Sequence, residues 1–380
     1  MKNVVIAAYA RSPFTPANKG ELMTVRADDL VAQVIKALIS KTGIDANDIE
    51  DLILGCAFPE AEQGLNMARL VVYLADLPIS IAGVTINRFC GSSMQAIHFA
   101  AGAIQMNAGV AFICAGVESM SRVPMGGFNT LPNPQLYQHY PQAYISMGET
   151  AENLAKKYHI SRVGQEAFAL LSQQKACAAQ QQGLFVDEIT PIIKRKGGRI
   201  EQDSCLRPDS TAVGMAELKP AFSAQGSVTA ATSSPLTDGA AAVLVCSEEY
   251  ADKHGLEKLA RIKSIAVSAC QPEIMGIGPV VAIQKALQRA NLSLADMDIV
   301  ELNEAFAAQS LAVLQELPIA AEKLNIDGGA IALGHPLGAT GARITGKAAS
   351  LLVRKNKQFA LATQCIGGGQ GIATILEAVS

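Results

Sequence analysis

No C-x-x-C pair occurs among the eight cysteines (Cys56, Cys90, Cys114, Cys177, Cys205, Cys246, Cys270, Cys365), and no paired spacing outlines a disulfide framework or a zinc site. Thiols scattered this way fit a reducing compartment, and with no spacing that asks for one no metal is expected. No apolar run reaches the roughly 18 residues a membrane span needs; even Ala240 to Cys246 is short. The apolar N-terminal run passes into Arg11 and Pro13 without a cleavable-signal pattern, so it reads as a buried first strand and the protein as cytoplasmic. An excess of one charge is missing too. With 31 Lys+Arg against 34 Asp+Glu the net charge is −3, which gives nucleic acid or an anionic membrane no field to follow.

What is present is an ordinary globular composition, 49% hydrophobic and 17% charged, which excludes a disordered chain. At about 150 residues per domain the length allows two to three domains. Short β-branched runs alternate with Ala-rich helical stretches: Val4 to Ala8, a helix from Asp28 to about Lys41, Asp51 to Cys56, Asn66 to Leu74, Gly83 to Asn87, a helix from about Cys90 to Met106, and Ala111 to Gly116. That rhythm predicts a layered α/β domain. Residues 118–235 differ, being richer in Pro, Gly, Gln and Tyr, with a helix near Gln165 to Gln182 and a basic knot at Lys194, Arg195, Lys196 and Arg199. They read as an insertion. The α/β rhythm returns with a strand from Ala240 to Cys246 and continues from Arg261.

The last third repeats the first. Asp48 to Phe58 lies over Asp296 to Phe306 with four identities in eleven: Asp48/Asp296, Leu54/Leu302, Ala57/Ala305 and Phe58/Phe306. The order holds beyond that window. Val84 to Asn87 matches Leu324 to Ile326, and Ala111 to Gly116 matches Phe359 to Thr363. Two copies of one fold follow, with residues 1–117 plus 236–260 as the first half, 118–235 inserted and 261–380 as the second half. Equivalent loops of such halves meet face to face, and the chemistry is expected there.

Three segments put a reactive side chain beside glycines at a turn. Cys90, in Asn87-Arg-Phe-Cys-Gly-Ser-Ser93, follows a strand and opens a helix, whose unsatisfied N–H groups favour thiolate. It is a candidate nucleophile or a buried apolar Cys at a tight turn. His335 stands among five glycines between Asn325 and Arg343, with Pro336 fixing the chain after it. Cys365 ends a strand before Ile-Gly-Gly-Gly-Gln-Gly371, whose backbone N–H groups are free to face a ligand; a tight hairpin with a bystander thiol is the bland reading. Two sulfurs and an imidazole at strand ends suit acyl transfer coupled to carbanion chemistry. Asn303 is a candidate to hold a water as an oxyanion donor, or simply a turn residue. His98 lies eight residues beyond Cys90 and reads as packing, whereas His139, His159 and His254 read as surface residues.

Cys90-Gly-Ser-Ser, Asn303-Glu-Ala-Phe306, Gly334-His-Pro-Leu-Gly338 and Cys365-Ile-Gly-Gly-Gly369 occur in the order and spacing of the thiolase family, and the chain resembles that family over essentially its whole length. The resemblance implies the α/β thiolase fold, a duplicated αβαβα five-layered core with an inserted loop domain, and assembly as a homodimer or homotetramer. It implies that Cys90 carries an acyl-thioester and is activated by His335. Cys365 would protonate the departing acetyl enolate. Asn303 would orient a water that, with His335, forms one oxyanion site, and the N–H groups of Cys90 and Gly367 the other. Coenzyme A enters as co-substrate rather than cofactor. Arg207 corresponds to a residue on the adenine and Ser234 to one near the pantetheine, while Met147, Phe222 and Phe306 fall in the matched segments as substrate contacts. The basic knot is a further candidate for the phosphates, or a solvated loop.

Departures from the family pattern bear on the substrate. Short-chain members usually carry His where this chain has Ser146, before Met147-Gly148. The resemblance therefore implies broad-chain cleavage of 3-ketoacyl-CoA by CoA in fatty-acid β-oxidation, similar to bacterial members that partner a hydratase/dehydrogenase subunit. A short-chain acetoacetyl-CoA enzyme and a catalytically silent acyl-CoA-binding scaffold are the alternatives. Related decarboxylating ketoacyl synthases pair one Cys with two His, and Cys365 counts against them. Asp327, where many members have Asn, and Ala231 and Pro235, where many have Gly, are further departures.

Overall fold

Residues 2–379 are described by a computed structural model. The chain opens with β1 (Val4–Arg11), β2 (Thr15–Pro16), α1 (Ala27–Thr42), β3 (Ile49–Gly55), α2 (Met67–Leu74), β4 (Ala82–Ile86), α3 (Ser92–Gln105) and β5 (Ala111–Ser119). A long excursion carries α4 (Pro134–His139), α5 (Met147–Lys157), α6 (Arg162–Gln181), a ribbon of β6 (Ile192–Ile193) and β7 (Arg199–Ile200), and α7 (Ala212–Ala216). The remainder is β8 (Thr237–Ser247), α8 (Glu248–His254), β9 (Ala260–Ala269), α9 (Gly278–Ala290), β10 (Ile299–Leu302), α10 (Ala307–Glu316), α11 (Ala330–Leu333), α12 (Leu337–Lys355), β11 (Phe359–Ile366) and β12 (Gln370–Glu377).

Hydrogen bonding runs in the order β10-β11-β12-β9-β1-β8-β5-β3-β4. The junction between β1 and β9 is two residue pairs long, Val5 with Arg261 and Ile6 with Ala260, so the ladder is two sheets meeting at a corner. Each sheet has the same internal order. In the first, β4, β3, β5, β8 and β1 follow one another; in the second, a bridge at Leu324 takes the place of β4, and β10, β11, β12 and β9 follow. The repeat in the sequence is thus a repeat in topology.

Helices α3 and α12 lie between the sheets, and α12 touches strands of both. The outer face of the first sheet is covered by α1 and α2, and that of the second by α9. Five layers result. Strands covered on both faces read as unbroken apolar runs, which is why β5 and β8 are buried at every residue. The inner helices share one apolar cluster with both sheets, in which Met94, Ile97, Ala339 and Ile344 pack with Tyr9, Phe112 and Ile366. Small residues set their separation: a side chain on Gly341 would collide with the backbone of Met94, and Ala342 N–H donates to Ser93 Oγ at 2.8 Å. The starts of α3 and α12 therefore face each other, and the loop before each leads into the site.

β5 runs through Glu118 and Ser119, two residues into the segment read as inserted, and β9 starts at Ala260. The basic knot pairs with acids of the first sheet's helical side, Lys194 with Glu21 at 2.7 Å and Arg195 with Asp29 at 2.8 Å. Those contacts agree with the solvated-loop reading. No helix among the described residues is long and apolar enough to cross a membrane.

Candidate active site

Cys90 ends the turn after β4. It sits two residues before α3, and the preceding Phe89 takes a left-handed φ of 42°, unusual for a bulky residue. The thiol is buried, packed near Ala57, Met120 and Leu337. Burial pushes it up to about 11, against the lowering pull of the N–H groups of Gly367 and of Cys90 itself. The expectation that the helix start makes Cys90 a thiolate is corrected here: desolvation outweighs the helix end, and the resting group is a thiol.

Cys365 lies on β11, and the hairpin to β12 closes through Gly367, Gly368 and Gly369. Gly368 and Gly369 have φ of 79° and 80°, a region that favours glycine. This tight turn leaves the Gly367 N–H near the Cys90 sulfur, where it draws the thiol down. Burial holds the Cys365 thiol well above its usual range, and the neighbouring Cys90 sulfur adds to the rise. Gln364 ties the two segments together by donating from Nε2 to the Cys90 carbonyl at 2.6 Å.

His335 occupies the loop before α12, the counterpart of the Cys90 loop. Gly334, at φ 102°, turns the chain where a Cβ would meet Thr237 at 2.7 Å, and the His335 N–H donates to Thr237 Oγ1 at 3.0 Å. The ring lies between Thr340 Oγ1, 2.6 Å from Nδ1, and Asn303 Nδ2, 3.3 Å from Nε2. Burial, with the charge of Arg343 adding, lowers the ring to about 3, so it is neutral and able to take a proton. Asn303 follows β10, and its N–H donates to Thr363 at 3.0 Å, two residues before Cys365. Its Oδ1 is buried without a partner among the described residues. Asn303 thus reaches the imidazole directly.

The structure brings Cys90, Cys365 and Gly367 together and pairs Asn303 with His335, all on loops at the inner helix starts and the ends of β10 and β11. Met147, Phe306 and Cys365 share one apolar cluster, and Phe222 crosses Phe306 edge-on at 5.8 Å. Phe222 lies where any side chain on Gly148 would be. Ser234 donates from Oγ to the Ala305 carbonyl at 3.1 Å, beside the Asn303 loop. Arg207 stands apart. It is exposed in a cleft of about 480 Å³ with Gln173, Thr211, Met215 and Ala231, which none of the catalytic candidates lines.

Sequence reasoning missed the residues that hold these loops. Glu118 is buried at the end of β5 and accepts from the N–H groups of Ala57 and Gly338 at 2.9 Å and Phe58 at 3.1 Å, and from Gln63 Nε2 at 3.0 Å. Burial raises its carboxyl while those donors oppose the rise. Glu304 is likewise enclosed by Ser172, Asn325 and the Ile331 N–H. Asp327 faces Lys347 at 2.7 Å and Arg354 at 2.6 Å; burial would raise it, but these cations hold it below the usual range. His98 is a packing residue, its Nε2 2.8 Å from Thr374 Oγ1. His139, His159 and His254 are exposed.

The set can hold an acyl group on one sulfur, supply backbone N–H groups to a developing oxyanion and exchange protons with a neutral imidazole and a second thiol. Among the described residues no group of three His, Cys, Asp or Glu side chains is arranged to hold a metal ion.

Two family models match the chain, the thiolase N-terminal domain over residues 4–249 and the thiolase C-terminal domain over 256–378. The chain is 48% identical to a 3-ketoacyl-CoA thiolase of Bacillus subtilis, covering 99% of this chain and 100% of that one. It is also 48% identical to a 3-ketoacyl-CoA thiolase of Acinetobacter baylyi, covering 100% and 98%. Among solved structures it is similar to human mitochondrial 3-ketoacyl-CoA thiolase, at 39% identity and a TM-score of 0.90 over 100% and 99% of the two chains. A Bacillus anthracis acetyl-CoA acetyltransferase superposes at 39% identity and a TM-score of 0.92, again over 100% and 99%.

Proposed function

The chain belongs to the thiolase family, and from that premise we propose that it is a 3-ketoacyl-CoA thiolase, an acyltransferase that cleaves 3-ketoacyl-CoA with CoA in fatty-acid β-oxidation. The observation that carries the reading is the bond from Gln364 Nε2 to the Cys90 carbonyl at 2.6 Å, which holds the Cys90 turn against the strand of Cys365. Cys90 gives its proton to His335 and attacks the 3-keto carbon. The carbon–carbon bond breaks toward the acetyl-CoA enolate, which takes a proton from Cys365. A second CoA then loses its thiol proton to the Cys365 thiolate and attacks the acyl-thioester, and the departing Cys90 sulfur recovers the proton from His335. Thioester formation divides one difficult cleavage into two easier steps. The N–H groups of Cys90 and Gly367 stabilise one oxyanion, and His335 with a water oriented by Asn303 the other.

Coenzyme A enters past Arg207 and Ser234. In support, the Arg207 cleft includes Ala231, three residues before Ser234, and Ser234 is bonded to the loop of Asn303. Met147, Phe222 and Phe306 form the apolar wall for the acyl group. A homodimer or homotetramer is the working assembly, consistent with the partly exposed edge strand β4 and the exposed Leu70, Tyr73 and Ile79 beside it. Eight free cysteines accord with cytoplasmic work, where a hydratase/dehydrogenase subunit would supply the substrate.

A second reading, an acetoacetyl-CoA enzyme, is favoured by the superposition on an acetyl-CoA acetyltransferase. Ser146 argues for the broader substrate, since it caps α5 through Glu149 and presents no ring beside Met147. Thiolysis rates over short-, medium- and long-chain 3-ketoacyl-CoA test both readings. Activity across the panel is expected; activity on the four-carbon substrate alone would replace the first reading by the second, and none at all would leave a silent binding protein.

A further inference from the structure

We propose that Thr340 is a positioning residue for His335: its hydroxyl accepts the Nδ1 hydrogen and thereby keeps the Nε2 lone pair as the proton acceptor of the ring. The inference deepens the mechanism above and rests on His335 being the base for Cys90. Its starting point is the 2.6 Å contact between Thr340 Oγ1 and His335 Nδ1, made with both residues buried.

Two contacts agree on one tautomer. Asn303 presents an amide nitrogen to Nε2 at 3.3 Å; a donor there requires a lone pair on the ring, and Asn303 must release that lone pair when the Cys90 proton arrives. The Thr340 hydroxyl lies 3.4 Å from the Pro336 carbonyl four residues earlier, which takes the hydroxyl hydrogen and leaves oxygen lone pairs toward Nδ1. Thr345, on the same helix, shows the undistorted form of that bond, 2.7 Å to the Gly341 carbonyl. At Thr340 the bond is stretched, and the hydroxyl leans to the imidazole.

The backbone of His335 is fixed by Thr237 and by the neighbouring Gly334 and Pro336, so rotation of the ring is the freedom left. A β-branched side chain in the first turn of a helix has few rotamers, which makes Thr340 a stiff stop for it. When the Cys90 S–H bond breaks, the proton forms the new Nε2–H bond and sulfur keeps the electron pair. The positive charge on the ring is then shared through Nδ1–H with Thr340.

Ring-15N histidine labelling reads the tautomer directly, because the chain has five histidines to resolve. A protonated Nδ1 and a bare Nε2 are expected for His335 in the wild type and in Thr340→Ser, with a mixed or reversed pattern in Thr340→Val. For thiolysis, Thr340→Val is expected to lower kcat about 10- to 100-fold, a part of what a positioned base contributes, with KM within about twofold. Thr340→Ser should recover most of the loss. An Nε2–H tautomer in the wild type, an unchanged kcat in Thr340→Val, or a Thr340→Ser no better than Thr340→Val would each overturn the proposal. His335→Ala separates it from the reading beneath: full activity there would remove His335 as base, whereas an inactive His335→Ala beside a fully active Thr340→Val would remove only the role of Thr340.

Discussion

Gln364 donates its amide hydrogen to the carbonyl of Cys90 at 2.6 Å, so the strand that bears one thiol grips the turn that bears the other. The two residues lie 274 positions apart in the chain, on opposite halves. Gln364→Leu removes the donor and also the buried Oε1, which has no partner among the described residues. A stranded Cys90 carbonyl costs about 1–3 kcal/mol, partly offset by loss of the orphan oxygen. Net stability should change by less than about 2 kcal/mol in urea unfolding, while kcat falls several-fold. Wild-type kcat in Gln364→Leu would show that the turn needs no such anchor.

The ionisation of Cys90 sets how it meets an alkylating reagent. With the thiol at about 11 and the imidazole at about 3, the neutral pair is the resting state between those values, and a small, pH-independent share of it is thiolate and imidazolium. That share is far smaller than the thiolate formed by simple ionisation near neutral pH, so iodoacetamide labelling of Cys90, followed by peptide mass spectrometry, should rise about tenfold per pH unit from neutral pH toward 11. Cys90→Ser should abolish both this labelling and thiolysis. The more exposed Cys177 serves as reference. Labelling of Cys90 that levels off near the ordinary thiol value of about 8.5 would show that burial does not hold its proton.

His98 gives a dependence of stability on acid. Its burial lowers the ring from 6.5 to about 3, so below 6.5 the unfolded chain binds a proton that the folded chain refuses. Its contribution is complete above pH 6.5 and is lost as pH falls toward 3. His98→Gln should reduce the slope of unfolding free energy between these limits by up to about 1.4 kcal/mol per pH unit. An unaltered slope would place the proton on His98 in the folded state.

Gly334→Ala tests the loop of the imidazole. With φ 102° and ψ 163° the position lies in a region essentially confined to glycine and costs an L-residue about 1–3 kcal/mol, and the new Cβ would press on Thr237, a buried β-branched residue unable to step aside. Thr237 also holds the His335 N–H, so the ring should move with it. Loss of kcat beyond what unfolding explains is expected at a temperature where the variant stays folded. Equal and small losses of both would contradict this.

The three reactive side chains were legible because turns that must leave room for a ligand fill with glycine, and the duplication was legible because matched strands keep their apolar order. The ionisation of Cys90 was not. Its place near a helix start is written in the sequence, but its burial depends on Met120 and Leu337, far away in the chain. Glu118, Glu304 and Thr340 were missed for a related reason. Each acts through partners supplied by other segments, and an isolated Glu at a strand end or Thr in a helix has no local signature. The inserted segment hid its small elements, such as the two-residue strands β6 and β7, whose pairing is set by tertiary contact rather than by pattern.

The N–H that faces the Cys90 sulfur belongs to the main chain of Gly367, where a new Cβ would lie 3.5 Å from Met147 and 3.6 Å from Phe89. No exchange of side chains short of proline can delete that donor. Mutational drift can therefore reshape the surrounding acyl wall, residue by residue, while this polar contact is inherited unchanged.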